Sequence, residues 1–272
     1  MLQSSERVWF QYKYCHKIFF YKNQYTNKAF NFASNSFVYY YSINLILRMR
    51  KSWWKILCVL LLLYTLIGGL LLPVPVKFIL NETIRNIFYH VPMWFGMIIL
   101  FTVSLVYSIK YLNTNNLKND IAAAAYIDVG VLFGILGVVT GMEWAQFTWG
   151  EAWSNDPKQL ASAISLLIYF AIYALRGSIP DYDKRAKIAS VYNIFAYALM
   201  VPMLFILPRL TDSLHPGNGG NPGFNTKDMA PQLRPTFYAG VLGFTLLGVW
   251  IATLIIRKNL FEKRTILHES AQ

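Results

Sequence analysis

The chain has 272 residues, 56% of them hydrophobic and 17% aromatic, with only 14% charged and a formal net charge of +12. That balance excludes an ordinary soluble domain and points to an integral membrane protein. The positive charge does not argue for nucleic acid, because the basic residues sit beside apolar runs rather than on an amphipathic face. The two cysteines, Cys15 and Cys58, lie far apart and form no CxxC motif, CxxCH motif or disulfide framework.

The first 47 residues differ from the rest. They hold one acid, Glu6, five basic residues and many Tyr, Phe and Asn, with no apolar run long enough to span a bilayer. They also lack the basic start, apolar core and cleavage site of a secretory signal. Met49-Arg-Lys-Ser-Trp-Trp-Lys, followed by a leucine-rich run, reads as the natural opening of a membrane protein. The expected organisation is an N-terminal extension over 1–48 outside the functional chain, a six-span membrane domain over 49–264 and a tail over 265–272.

A hydrocarbon core of about 30 Å needs roughly 20 apolar residues at about 1.5 Å each. Six segments qualify: Trp53–Leu72, Ile87–Ile109, Ile121–Gly141, Leu160–Leu175, Ile188–Leu207 and Phe237–Ile256. The expected fold is all-α, an integral membrane bundle of six transmembrane helices with both termini cytoplasmic. Orientation follows from Lys and Arg, which favour the cytoplasmic side. From residue 48 onward, fourteen lie on the side of the termini and six on the other. The loops at 73–86, 142–159 and 208–236 are therefore expected to face outward.

Those three loops gather the residues able to carry chemistry. Trp144, Trp149 and Trp153 fall in GMEWAQFTWGEAWSNDPKQL, and Trp149 and Trp153 are four apart, sharing a face if helical. An interfacial aromatic belt and a stacking surface for a flat apolar ligand both account for this composition. Asp156-Pro157 reads as the N-cap and first position of the fourth span. His90, in RNIFYHVPMWFGM, opens the second span, and His215 sits in the turn-rich LTDSLHPGNGGNPGFN. Each is either an ordinary hydrogen-bonding histidine or a neutral imidazole ligand. Asp128 is the conspicuous ionisable residue inside a span, and pairing within the bundle is its expected role. It precedes Gly130, Gly134, Gly137 and Gly141, a set suited to close helix packing. No Walker A loop, HExxH, GxSxG or metal-spaced Cys/His cluster is present, so an ATPase, zinc protease or serine hydrolase is unsupported.

Trp149-Gly-Glu-Ala-Trp153-Ser-Asn-Asp156-Pro-Lys resembles the tryptophan-rich WWD motif, WGxxWxWD, of membrane haem-handling proteins. That superfamily includes the cytochrome c maturation proteins C and F and the synthase-type CcsA. Pro157-Lys158 is closest to the CcsA flavour. The size, six spans, His90-Val-Pro and His215 look like the maturation protein C, or haem exporter protein C, family over roughly residues 50–260. Asn155 departs from the pattern, standing where the motif has Trp; Trp144 is a possible substitute surface, and Asn155→Trp is expected to be tolerated.

The resemblance implies a haem-binding protein of the bacterial cytoplasmic (inner) membrane whose functional loops are periplasmic. His90 and His215 would be axial ligands to haem b, with Trp144, Trp149, Trp153 and Asp156 beside the macrocycle. The chain would deliver haem to a periplasmic chaperone, maturation protein E, beside an ABC transporter of maturation proteins A and B. Its partners would include the lipid bilayer and no nucleic acid, and it would not be an enzyme. Arg85, Lys158, Arg209 and Arg234 are basic candidates for the propionates. Two other readings stay open: a CcsA-like subunit of a cytochrome c synthase, and an ABC-transporter permease subunit.

Overall fold

The computed structural model describes residues 52–215 and 229–269. The extension over 1–48, the start at Met49 and the end of the tail at 270–272 lie outside the described residues. Within them the secondary structure is helical, with no strand.

Six helices are long and apolar enough to cross a membrane. The first, α1, is Ser52–Leu71. A 3-10 helix, Asn81–Phe88, leads into α2, His90–Thr114. Then come α3, Leu117–Trp149, α4, Pro157–Ser178, and α5, Tyr182–Val201. A π-helical turn at Pro202–Ile206 and the four-residue α6, Leu207–Leu210, extend α5. A 3-10 turn at Pro231–Leu233 precedes α7, Arg234–Glu269.

Local chemistry sets the starts and stops. The Asn116 side chain caps α3 by accepting from Lys118 N at 3.0 Å, and Asp181 caps α5 by accepting from Lys184 N at 2.7 Å. Asn115 at φ 50° closes α2, and Gly150 at φ 86° closes α3, both in the left-handed region that ends helices.

That last boundary corrects the sequence expectation. The third span was expected to end at Gly141, with a loop over 142–159. Instead α3 runs 33 residues, to Trp149. At about 1.5 Å per residue it is about 50 Å long, well beyond a hydrocarbon core of about 30 Å. Hydropathy fades after Gly141, but nothing in MEWAQFTW breaks a helix; the first breaker is Gly150.

The glycines of α3 lie three and four apart, on one face. Gly130, Gly137 and Gly141 face rings of α2, while Gly134 abuts Leu166 of α4 and Met97 of α2. A Cβ on Gly130 would come within 2.5 Å of Phe101 Cε1, and one on Gly137 within 2.8 Å of Trp94 Cε2. Among α2 to α7 the α2–α3 interface is the most extensive. By contrast α1 exposes most of its Leu and Ile side chains, as a lipid-facing helix would.

At the end of the bundle holding the α2–α3 and α4–α5 connections, Arg176 of α4 grips Asp120 of α3. Its two terminal nitrogens donate to the two carboxylate oxygens at 2.8 and 2.9 Å, and Asp120 is 1% exposed. Asp128, half-buried on α3, lies within electrostatic reach of Tyr173 and Arg176 of α4. The other end carries the candidate site.

Candidate functional site

His90 is the first residue of α2, and the sequence HVP follows from its position. Pro92 sits in the first helical turn, where a missing N–H costs no intrahelical bond. His90 is buried against α3, with its Nδ1 3.1 Å from Thr140 Oγ1. That hydroxyl lies 2.7 Å from Leu136 O and 3.2 Å from Gly137 O, and Asn86 donates to Thr140 O at 2.9 Å. Gly141 makes the approach possible, because a Cβ there would fall 2.6 Å from His90 Cε1.

Two indoles flank the imidazole edge-on. Trp94, one turn along α2, has its centroid 6.3 Å away, and Trp144 of α3 lies 6.0 Å away. The Trp144 N–H is satisfied by Thr83 Oγ1 at 3.2 Å, which binds α3 to the 3-10 helix.

The second half is built around Asp156. As expected, it is the N-cap of α4, accepting from Lys158 N at 2.9 Å with Pro157 beginning the helix. The same buried carboxylate also accepts from Ser213 Oγ at 2.8 Å, Leu214 N at 2.7 Å and His215 Nδ1 at 2.9 Å. Burial alone would raise the Asp156 pKa. The hydrogen bond and charge of His215 and the bonds from Ser213 and Leu214 outweigh it, holding the carboxyl below the usual carboxylate range. A carboxylate can only accept, so His215 Nδ1 carries the proton. Trp149, the last residue of α3, packs edge-on to the His215 ring at 4.8 Å.

The two halves meet. The final turns of α3 touch both rings, through Trp144 at 6.0 Å from His90 and Trp149 at 4.8 Å from His215. Four residues expected from sequence, His90, His215, Trp144 and Trp149, therefore join Asp156 in one neighbourhood. Trp153 does not share a helical face with Trp149, because the helix ends between them. Its indole donates instead to Asn155 Oδ1 at 3.1 Å, within the connecting loop. Asn155 itself has φ 56°.

Among the basic candidates, Arg85 is engaged elsewhere. It donates to Gly69 O and Leu72 O, the carbonyls ending α1, at 2.9 and 2.8 Å, and pairs with Glu82. Arg234 donates to Met229 O at 3.0 Å. The Arg209 side chain lies outside the described residues. Sequence reading missed Thr140, Trp94 and Ser213. A lone hydroxyl in the apolar run before Gly141, and an aromatic four residues after His90, were the available signals for the first two.

Six membrane-length helices, with two histidines and their flanking tryptophans at one end, define a polytopic membrane protein. Residues 32–270 match the model of the family described as heme exporter protein C, and the chain belongs to that family. Relatives bearing the same name are 28% identical in Paracoccus denitrificans, covering 71% of this chain and 78% of the relative. In Haemophilus influenzae the identity is 25%, over 70% of this chain and 76% of the relative. The Escherichia coli K12 relative is 24% identical, again over 70% and 76%.

Proposed function

We propose that the chain binds haem between His90 and His215 and hands it on during cytochrome c maturation. Haem is the cargo, and the chain positions and releases it without forming bonds to carbon. The observation that carries this reading is the donor set. Two imidazoles each pack against a tryptophan of the last turns of α3, and each is anchored through Nδ1 on its own helix-borne partner. That leaves both Nε2 atoms for iron. The close approach permitted by Gly141 and the flanking Trp144 and Trp149 fit a flat apolar macrocycle.

In this reading the site faces the periplasm, as the Lys and Arg distribution favours, in the cytoplasmic membrane of a bacterium. The cargo is haem b, the receiver is the periplasmic chaperone maturation protein E, and maturation proteins A and B stand beside the chain. The functional domain spans 49–264.

The test is an absorption spectrum of protein purified from haem-replete cells. Wild type should show the Soret and paired visible bands of six-coordinate, low-spin haem. His90→Ala and His215→Ala should each lower haem retention and raise the high-spin fraction. Unchanged spectra in both variants would reject bis-histidine ligation.

A further inference from the structure

We propose that Thr140 is a positioning residue, fixing which nitrogen of His90 is presented to the ligand. This rests on the reading that His90 binds iron. His215 has an evident orienting partner in the Asp156 carboxylate, whereas among the described residues no acid lies against His90. What it has is the Thr140 hydroxyl, 3.1 Å from Nδ1.

The hydroxyl has one proton to give. It sits 2.7 Å from the Leu136 carbonyl, one turn back in α3, the usual partner of a threonine in a helix. With its proton directed there, the oxygen offers His90 only lone pairs. Nδ1 is therefore the protonated nitrogen of the neutral ring, and Nε2 holds the lone pair. Asn86 holds the backbone of Thr140 by donating to its carbonyl at 2.9 Å. The acceptor is thus fixed in place by the 3-10 helix that precedes His90. Gly141 lets the ring lie close enough to use it.

Both histidines then share one design, Nδ1–H bound to the protein and Nε2 toward the ligand, with unlike partners. A carboxylate stands behind His215 and a hydroxyl behind His90. Outer partners of this kind fix ring orientation and raise the basicity of a ligating imidazole, more so when charged.

The test needs no bound haem. Protein labelled with 15N-histidine has four histidines, and His90→Ala and His215→Ala identify two of the signals. At pH 8 the wild-type His90 should be the Nδ1–H tautomer. Thr140→Val, which keeps the branched shape and removes the acceptor, should yield a mixture of tautomers, and Thr140→Ser should restore the wild-type state. Thr140→Ala serves the same purpose if the valine variant does not fold. A His90 found as the Nε2–H form in wild type, or a tautomer unmoved in the valine and alanine variants, would overturn the proposal.

Haem-loaded protein supplies a second arm. Loss of the acceptor should raise the midpoint potential of retained haem, with serine returning it; a merely structural role would lower occupancy and leave the potential alone. Failure of the ligation reading itself is separate, since His90→Ala would then leave the haem spectrum unchanged.

Discussion

The carboxylate of Asp156 both starts α4 and holds His215. Through Oδ1 it accepts from Lys158 N and from His215 Nδ1, each at 2.9 Å. The orientation of a histidine on a distant loop is thereby tied to the N-terminus of a spanning helix. These two roles respond differently to substitution.

Asp156→Asn keeps an oxygen for the cap, since Asn and Asp cap about equally well. It loses the charge that receives the His215 proton. Because its amide nitrogen would face the Leu214 N–H, its unfolding temperature in detergent should fall, but less than that of the alanine variant, while haem retention falls several-fold. Asp156→Ala loses the cap as well, at about 1 kcal/mol, and should show both defects. Equal haem retention in wild type and the asparagine variant would separate Asp156 from His215 function.

Gly141→Ala would ordinarily strengthen a helix by about 1 kcal/mol. Here the new methyl would sit 2.6 Å from His90 Cε1, and the ring is braced by Thr140 and flanked by two indoles. The imidazole must move. The expected outcome is a folded protein with a lowered haem content and an altered visible spectrum. A spectrum like wild type would show that His90 tolerates displacement.

The φ of 56° at Asn155 changes what a tryptophan there should do. From the motif alone, Asn155→Trp looked tolerable. A left-handed backbone costs a side-chain-bearing residue about 1–2 kcal/mol, and Asn is among the least affected. The substitution also removes the acceptor of the Trp153 indole. Asn155→Trp should lower the unfolding temperature and haem retention, whereas Asn155→Gly, free of the φ penalty, should stay closer to wild type. A stabilised tryptophan variant would contradict this account.

At the far end of the bundle the Asp120–Arg176 pair predicts an asymmetry. Asp120 is 1% exposed and Arg176 21% by side chain. Arg176→Leu strands a buried carboxylate and should cost about 3–5 kcal/mol. Asp120→Leu leaves the more exposed partner and should cost less. Unfolding in detergent compares the two; the reverse order would mean that Arg176 is the more deeply committed charge.

Orientation is testable at Gln146, an exposed residue on the last turns of α3 whose side chain donates to Gly150 O at 3.0 Å. In a Cys15→Ser background, with Cys58 buried at 0% exposure, Gln146→Cys should react with a membrane-impermeant thiol reagent added from the periplasmic side. Reaction only from the cytoplasmic side would reverse the topology.

Much of this was legible in the chain, for identifiable reasons. The spans declare themselves by length and hydropathy, the cap by Asp156-Pro157, and close packing of α3, though not its partner helix, by glycines at helical spacing. Three features were not. The end of α3 was misplaced because hydropathy reports where lipid ends, while a helix ends where backbone conformation changes, here at Gly150. The bond between His215 and Asp156 joins residues 59 apart, and no local pattern encodes it. Arg176 read as one more orienting charge, since nothing in its neighbours indicates that Asp120 receives it.

Because Thr140, Trp144 and Trp149 ride on one unbroken helix, α3 acts as a ruler between the two histidine pockets. Helical geometry, not loop conformation, sets the phase between Thr140, Trp144 and Trp149. One residue inserted between Gly141 and Trp149 would advance Trp149 by about 1.5 Å and rotate it by about 100° relative to Thr140. The Trp149 indole would then no longer meet the His215 ring, even with both histidines and every indole present. The same insertion just after Gly150 would be taken up by the loop and leave that phase intact.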